Sequence, residues 1–335
     1  MSDLSADLYR IFGAEMSPYS VKVRSYFRYK AIPHQWILRN AASQAEYEKY
    51  AKLPIIPLVV TPQGVGIQDS TPIIDKMEML FRQPSINTGD RVTNFVSELI
   101  EEFGDEWGNK WMFHYRWARD IDQRCSAGRI ARMRAPKASE NELAEFAEKV
   151  RARMVERIWL VGSNEVTASQ IETGFVEMLA LLEAHLERRP YLFGGRPAYG
   201  DFGLWGQLYE LWTDPTAGSL IEGSAPHVLD WIHRMLWPKA DSSFEAWSAL
   251  APTLMPILTR QVSPFMTWTV ANEKALAEGK DEFSVQLGDK VWVQKPQKYH
   301  ARSLAMLRAK YAAAPDKAAL DAVLQEAGCL TGLRA

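Results

Sequence analysis

The 335-residue chain carries 39 basic and 41 acidic side chains, and 47% of its residues are hydrophobic. This is the composition of an ordinary globular protein, and it lacks the basic block typical of nucleic-acid-binding chains. No apolar run is long enough to span a membrane and the first residues show no signal-peptide pattern, so we expect a cytoplasmic protein. Cys125 and Cys329 are isolated, so neither a CxxC redox pair nor a disulfide framework is indicated. The length predicts two domains and an extension.

The first recognisable element is a strand over residues 8–12, followed by a helix that Ser17 and Pro18 open. A serine hydroxyl at a strand–helix junction lies beside free backbone N–H groups and the positive end of the helix dipole, and this position favours a thiolate or another anion. Ser-Pro is also an ordinary helix start, with serine as the N-cap and proline in the first turn. The residues of this junction alone leave both interpretations open.

Two further signals follow before residue 80. The bond between Ile56 and Pro57 can be cis at low cost, and a cis bond would turn the Ile56 backbone outward to pair with an extended peptide. Pro57 could instead simply start a strand. Asp69 and Ser70 open the next helix, either as a plain N-cap or as an anion site. The predicted order is β-α-β and then β-β-α, with strands at 8–12, 34–39, 58–60 and 65–68 and the last helix at 71–80.

The order and spacing of these pairs resemble the thioredoxin-like domain of the glutathione transferases, above all the serine-type classes. The resemblance implies that glutathione binds as a co-substrate. Ser70 and the helix N-terminus would hold its γ-glutamyl carboxylate, Asp69 would meet its ammonium group, and Gln68 would assist. A cis proline at Pro57 would let the backbone of Ile56 pair with the tripeptide.

By the same resemblance, Ser17 is the catalytic residue, because a hydrogen bond from its hydroxyl to the glutathione sulfur favours the thiolate. Ser20 is the alternative donor, and Tyr9 and Tyr19 are weaker alternatives. A cysteine in place of Ser17 would imply disulfide or deglutathionylating chemistry, and its absence argues against such a reductase.

The chain departs from the serine-type pattern where basic residues bind the glycine carboxylate. Ile55 stands at the position directly before the Ile-Pro pair, where relatives often carry lysine. We expect Arg39, at the end of the second strand, or Lys52 to replace the missing charge.

The chain from about residue 88 is predicted to be helical, with helices at 88–117, 139–160, 169–186 and 202–212. Asp201 resembles the buried carboxylate that fixes a helix start in the second domain of this family, so we expect a structural role. Carboxylates alternate with basic residues over 101–117, which predicts a solvated or salt-bridged face and no metal site. By resemblance, Trp111 and Tyr115 of this segment, together with Tyr19, are candidates for the wall of an electrophile pocket.

The last part of the chain exceeds the usual length of the family. We expect a helix over 255–277 limited by Pro256 and Pro264, a β-hairpin over 283–293, and helices at 299–313 and 315–327. The basic segment 294–300 could reach the cleft, but a plain surface turn is the favoured prediction. The extension could cover the substrate pocket, line a dimer interface or bind a partner, and the sequence does not choose among these roles.

The predicted architecture is an α/β thioredoxin-like domain at 1–83, an all-α domain at 88–251 and an extension at 252–335. We expect a glutathione transferase, a cytoplasmic homodimer with a role in detoxification. Its thiolate would attack a small apolar electrophile, without nucleic acid, membrane or metal as partners. The alternatives are a non-catalytic binding or scaffolding protein of the same fold and a glutathione-dependent peroxidase.

Overall fold

The computed structural model describes residues 8–334. Its N-terminal unit contains a mixed sheet in the order β2-β1-β3-β4, in which β1 and β2 are parallel and the other neighbours are antiparallel. The elements are β1 (Tyr9–Gly13), α1 (Pro18–Tyr29), β2 (His34–Leu38), α2 (Gln44–Tyr50), β3 (Leu58–Val60), β4 (Gly66–Gln68) and α3 (Ser70–Leu80). The predicted β-α-β and β-β-α order is confirmed.

The two faces of this sheet are covered because apolar side chains alternate along its strands. Ile11 and Val59 point to the face covered by α1 and α3 and join the main core. Phe12 and Leu58 point the other way and pack against Tyr47 of α2. The two central strands, β1 and β3, are therefore buried on both sides, and the loops at their ends are free to form a site.

The region after residue 90 is helical as far as residue 277. Its helices are α4 (Arg91–Phe103), α5 (Asn109–Ala118), α6 (Asp120–Arg134), α7 (Glu140–Val155), α8 (Ala168–Leu186), α9 (Tyr199–Trp212), α10 (Pro215–Ser224), α11 (Pro226–Arg234), α12 (Trp247–Ile257) and α13 (Ser263–Ala277). Helix α9 is buried along almost its whole length and packs against both α1 and α4. A Cβ atom at Gly206 would lie 2.6 Å from the carbonyl oxygen of Pro18, so this glycine permits the close approach of α1 and α9.

Helices α4 and α5 form one continuous rod through a wide π-helical turn, Gly104–Gly108. This agrees with the single helix predicted over 88–117. A second π turn, Leu258–Val262, joins α12 to α13. Here the prediction that Pro256 limits the helix is wrong, because the chain is already helical from Trp247 and Pro256 lies inside α12. The wide turn relaxes the backbone hydrogen-bond ladder just before Pro264, which lies in the first turn of α13, so the chain stays helical there.

The extension contains the predicted hairpin, β5 (Phe283–Leu287) and β6 (Lys290–Gln294), followed by α14 (Lys298–Ala313), α15 (Ala318–Glu326) and α16 (Leu330–Arg334). Trp292 of β6 is buried against Trp107, and α14 and α15 pack on α4. One hydrophobic core thus includes side chains of all three predicted regions. The fold class is confirmed, whereas the exact domain bounds stay a prediction. No helix within residues 8–334 combines the length and apolar character needed to cross a membrane.

Candidate functional site

A cavity of about 240 Å³ lies where the loop before β3 meets the start of α3. Its wall combines residues of the sheet unit with one residue of the extension: Tyr19, Ile55, Ile56, Pro57, Asp69, Ser70 and Tyr299. The predicted site residues Ile56, Pro57, Asp69, Ser70 and Tyr19 are therefore brought together. Ser17 is not part of the wall that residues 8–334 form around this cavity.

The peptide bond between Ile56 and Pro57 is cis. Pro57 is buried, whereas Ile56 is partly exposed at the cavity. Within the described residues, the backbone N–H and C=O groups of Ile56 have no hydrogen-bond partner. An extended peptide lying along the cavity would find both groups available for strand-like pairing.

The loop that leads into the cis bond is held by the side-chain amide of Gln68. Its Oε1 accepts from the N–H groups of Lys52 at 2.8 Å and Leu53 at 3.0 Å. Its Nε2 donates to the carbonyl oxygens of Leu53 at 2.8 Å and Ile55 at 2.9 Å. Tyr47 also donates to the carbonyl oxygen of Ile55, at 2.6 Å. Gln68 therefore uses its polar atoms to shape the loop, and its contribution to ligand binding would be indirect.

The start of α3 presents an anion site in the cavity wall. Asp69 has a positive φ of 77°, and Ser70 begins the helix. Among residues 8–334, the backbone N–H groups of Ser70 and Thr71 have no partner. Free N–H groups and the helix dipole together attract a carboxylate. The hydroxyl of Ser70 is almost fully buried, 3.4 Å from the ammonium nitrogen of Lys22.

Ser17 is the N-cap of α1, as one of the two sequence interpretations requires. Its Oγ accepts from the backbone N–H of Ser20 at 3.3 Å, and its side chain is half-buried. Accepting one bond leaves the hydroxyl proton free to donate, so capping and sulfur activation are compatible. The alternative donors Ser20 and Tyr9 are buried in the core.

The phenol of Tyr19 faces the helical region. Its hydroxyl donates to the carbonyl oxygen of Asp105 at 3.0 Å and accepts from the side-chain amide of Asn109 at 3.2 Å. Burial, reinforced by the carboxylates of Glu106 and Asp105, raises the pKa of Tyr19 well above its ordinary value. Tyr19 is therefore a neutral residue of the cavity wall, and its hydroxyl is already engaged in two hydrogen bonds.

Arg39 and Lys52, the predicted replacements for the missing basic residues, both lie near the chain that leads into β3. Arg39 directly follows β2, and Lys52 belongs to the loop between α2 and β3. The guanidinium of Arg39 lies 4.2 Å above the ring of Tyr47 and donates to the carbonyl oxygen of Pro54 at 3.2 Å. Lys52 is exposed on the same loop. Both cations lie close to the chain that precedes the cis bond, although neither belongs to the cavity wall within residues 8–334.

A buried acidic cluster lies behind Ser70. The ammonium of Lys22 is fully buried, 2.5 Å from Glu101 Oε1 and 2.6 Å from Asp105 Oδ2. Burial raises the pKa of Asp105 to about 8 against the opposing charge of Lys22. Burial and the neighbouring Asp69 carboxylate likewise raise the pKa of Glu106 to about 8. The expected salt-bridged face is therefore present, but it lies inside the protein and is not solvated.

The remaining aromatic candidates lie elsewhere. Trp111 contributes to a different cavity, of about 140 Å³, which Trp107 and Trp292 also line. Tyr115 is 2% exposed and packs against Phe175 with a ring-centroid distance of 5.0 Å. The structure does not bring Trp111 and Tyr115 to the cavity of Tyr19, and their role as pocket wall stays a prediction.

The sequence analysis missed the contribution of Tyr299, and the prediction of a surface turn at 294–300 is wrong. Gln294 belongs to β6, His300 is buried, and Tyr299 lies in the cavity wall. Nothing in the local sequence signals this position, because it depends on how α14 packs 230 residues away from Asp69. Asp201, in contrast, caps α9 as predicted and accepts from the backbone N–H of Leu192.

Two family models match the chain: "Glutathione S-transferase, N-terminal domain" over residues 11–85 and "Glutathione S-transferase, C-terminal domain" over residues 142–234. Together they match about half of the residues. A search of curated proteins found no match.

Three solved structures similar to this chain each have a sequence identity to it below 20%. A glutathione S-transferase from Methylobacterium radiotolerans, in complex with glutathione sulfonate, is 19% identical with a TM-score of 0.43, over 71% of this chain and 98% of that chain. A β-etherase from Sphingobium is 15% identical with a TM-score of 0.47, over 68% of this chain and 94% of that chain. FzlA from C. crescentus is 14% identical with a TM-score of 0.46, over 72% of this chain and 97% of that chain. On the two family models, the chain belongs to the glutathione S-transferase family.

Proposed function

We propose that the protein is a glutathione transferase that binds glutathione in the cavity between Pro57 and Ser70 and activates its thiol. One observation carries the proposal. Among residues 8–334, a free backbone edge at the cis bond and unpaired N–H groups at the start of α3 belong to the wall of the same cavity. Together they match a peptide that has a carboxylate at one end.

The two ends of the γ-glutamyl group find complementary charges at α3. Its carboxylate would accept from the backbone N–H groups of Ser70 and Thr71 and from the Ser70 hydroxyl. Its ammonium would lie by the carboxylate of Asp69, on the acidic side of the cavity. The peptide backbone of glutathione would then run along Ile56, and Arg39 or Lys52 would meet the glycine carboxylate.

We assign the activation of the glutathione thiol to Ser17. With its oxygen already accepting from Ser20, its hydroxyl proton is available to the glutathione sulfur. A donated hydrogen bond stabilises the thiolate more than the thiol, which lowers the thiol pKa and releases its proton to solvent. The thiolate then forms a carbon–sulfur bond with an apolar electrophile, whose leaving group departs with the bonding electron pair.

Calorimetric titration of glutathione tests the binding site. We expect wild-type protein to bind in the micromolar-to-millimolar range, and Ser70→Ala to bind about tenfold more weakly because a charge-assisted hydrogen bond is lost. Ser139→Ala is a matched control, since Ser139 is also a serine at a helix start but caps α7 on an exposed surface. Wild-type protein that does not bind glutathione would refute the proposal.

Turnover tests the thiol activation separately. A panel of haloarenes, epoxides and aryl ethers should show at least one substrate, and Ser17→Ala should lower kcat by about 10²- to 10³-fold. The glutathione dissociation constant should rise far less than kcat falls, by up to about tenfold, because a single hydrogen bond to the sulfur is removed. Binding of glutathione without turnover on any electrophile would instead favour the non-catalytic binding or scaffolding protein.

Three further features belong to the proposal. The electrophile is a small apolar molecule, the protein acts as a homodimer, and it works in the cytoplasm in detoxification. Family membership supports each of these. Sedimentation velocity of the purified protein would test the homodimer directly, with a single species of 38.0 kDa as the opposing result.

A further inference from the structure

The C-terminal extension reaches the proposed glutathione site through Tyr299, in the first turn of α14. The phenol hydroxyl of Tyr299 donates to Asp69 Oδ2 at 3.0 Å across 230 positions of sequence. Tyr299 and Asp69 both line the cavity that contains the cis bond, and both line a second cavity on the acidic side. The contact thus lies at the end of the site where the γ-glutamyl ammonium is expected.

Buried neighbours fix Tyr299 in this place. The residue before α14, Gln297, forms a reciprocal pair with the fully buried Asn272: its N–H donates to Asn272 Oδ1 at 2.7 Å, and its carbonyl oxygen accepts from Asn272 Nδ2 at 3.0 Å. His300 packs edge-on against Trp268 at a ring-centroid distance of 4.8 Å. The first turn of α14 is therefore anchored on both sides of Tyr299.

The pair between His300 and Glu106 adds a further anchor to this turn. Burial lowers the pKa of His300 well below its ordinary value, and burial raises that of Glu106 to about 8. The carboxyl oxygen Oε2 of Glu106 lies directly against the ring nitrogen Nδ1 of His300. This contact holds α14 against the π turn directly behind the cavity.

Tyr299 is suited to donate and not to accept. The side chain of Tyr299 is 49% exposed, and its partial burial beside the carboxylate of Asp69 raises its pKa above the ordinary value, so the phenol stays neutral. Its hydrogen bond occupies one oxygen of Asp69. The other oxygen, Oδ1, has no partner among residues 8–334 and stays available to a ligand.

Building on the proposed function, we infer that Tyr299 is a positioning residue that completes the glutathione site from the extension. By holding Oδ2 of Asp69, it orients Oδ1 toward the ammonium of the γ-glutamyl group. An exposed carboxylate would otherwise rotate freely, and ordering it would weaken binding. Tyr299 therefore makes the site selective for ligands that carry a free α-ammonium beside their α-carboxylate.

The test compares two ligands in calorimetric titrations of the full chain. The first is glutathione, and the second is glutaryl-cysteinyl-glycine, which lacks only the α-amino group. For Tyr299→Phe we expect glutathione to bind about tenfold more weakly, as for one lost hydrogen bond to a charged group. Binding of the glutaryl analogue should change less than about twofold, because it has no ammonium for Asp69 to meet.

The matched control is Tyr311→Phe on the same helix. The Tyr311 hydroxyl donates to Asp321 Oδ1 at 2.7 Å, so the substitution removes the same type of hydrogen bond away from the cavity. It should leave the affinity for both ligands unchanged. The ratio of the two affinities does not depend on the folded fraction, because both titrations use one sample.

The outcomes separate the inference from the proposed function. The positioning role would be overturned if Tyr299→Phe weakened the binding of both ligands equally or left both affinities unchanged. Tighter binding would also overturn it, because it would show that Tyr299 obstructs the site. Wild-type protein that binds neither ligand would refute the proposed function and the inference together. If wild-type protein bound glutathione and the glutaryl analogue equally well, glutathione binding would stand. Asp69 would then not recognise the ammonium group, and the role of Tyr299, which depends on that recognition, would be refuted.

Discussion

Lys22 on α1 joins the sheet unit to the helical region, and its replacement by methionine tests the buried ion pairs. Its ammonium contacts Glu101 on α4 and Asp105 in the π turn at 2.5 and 2.6 Å. The hydroxyls of Ser70 and Thr71 lie 3.4 Å away. Methionine has nearly the same volume, so the variant removes the charge without opening a large cavity.

The expected magnitude follows from the carboxylates left behind. Glu101 keeps a hydrogen bond of 2.6 Å from Thr71 but loses its counter-charge in a site that is 2% exposed. Removing one partner of a buried pair lowers the free energy of unfolding by about 3–5 kcal/mol. We expect this loss for Lys22→Met at pH 8, where Glu101 is ionised because the ammonium of Lys22 outweighs burial and lowers its pKa.

The loss should be smaller in acid. Burial raises the pKa of Asp105 and of Glu106 to about 8, so between about pH 4 and pH 8 the folded protein binds more protons than the unfolded chain. These two groups therefore make the free energy of unfolding fall as pH rises through that window. Without Lys22, the pKa of Glu101 also rises, and the slope becomes steeper. At pH 5 the protonated acids are neutral, and the loss should be about 1–2 kcal/mol.

Urea denaturation followed by tryptophan fluorescence at pH 5 and pH 8 measures both values. Lys274→Met is the control, because Lys274 is exposed on α13 and lies 3.9 Å from its acidic partner Glu278. It should change the free energy of unfolding by less than about 0.5 kcal/mol at either pH. The reasoning is refuted if Lys22→Met loses the same amount at both pH values, or less than about 1 kcal/mol at pH 8.

Two other substitutions test the supports of the site and of the helical core. For Gln68→Leu we expect about tenfold weaker glutathione binding, because the loop before the cis bond loses its contacts with the side-chain amide. Amide hydrogen exchange over residues 52–55 should also become faster. Unchanged affinity for glutathione would contradict the supporting role of Gln68. For Asp201→Ala we expect the free energy of unfolding to fall by about 3 kcal/mol, because the buried N–H groups of Leu192, Ala198 and Trp231 lose their acceptor. A loss below about 1 kcal/mol in urea denaturation would show that these donors find other partners.

The sequence predicted the structure correctly where the relevant residues lie close together in one segment of the chain. The β-prone run over 58–60 predicted β3, whereas the cis bond at Pro57 was indicated by the resemblance and not by the Ile-Pro pair alone. A structural role for Asp201 was predicted by resemblance to the second domain of the family and because a buried carboxylate needs backbone N–H donors. The hairpin over 283–293 followed from period-two alternation around a Gly-Asp turn.

The errors concern residues whose surroundings come from distant segments. The charges of 101–117 look solvent-exposed in sequence, yet Lys22 and His300 come from other elements to pair with them inside the protein. Helical spacing gives the relative direction of side chains but not which side faces the core. Trp111 and Tyr115 were assigned to the pocket wall by resemblance, and this role stays a prediction, although they lie away from the cavity of Tyr19.

The sequence by itself determined the family, the order of strands and helices in the first eighty residues, and the pairs that shape the proposed glutathione site. These features depend on neighbouring residues and on short-range backbone preferences. Only the tertiary structure decided that the acidic face is buried and that Tyr299 reaches Asp69. The physical reason is that burial and pairing across 230 positions depend on how whole helices pack, and no short stretch of residues records that packing.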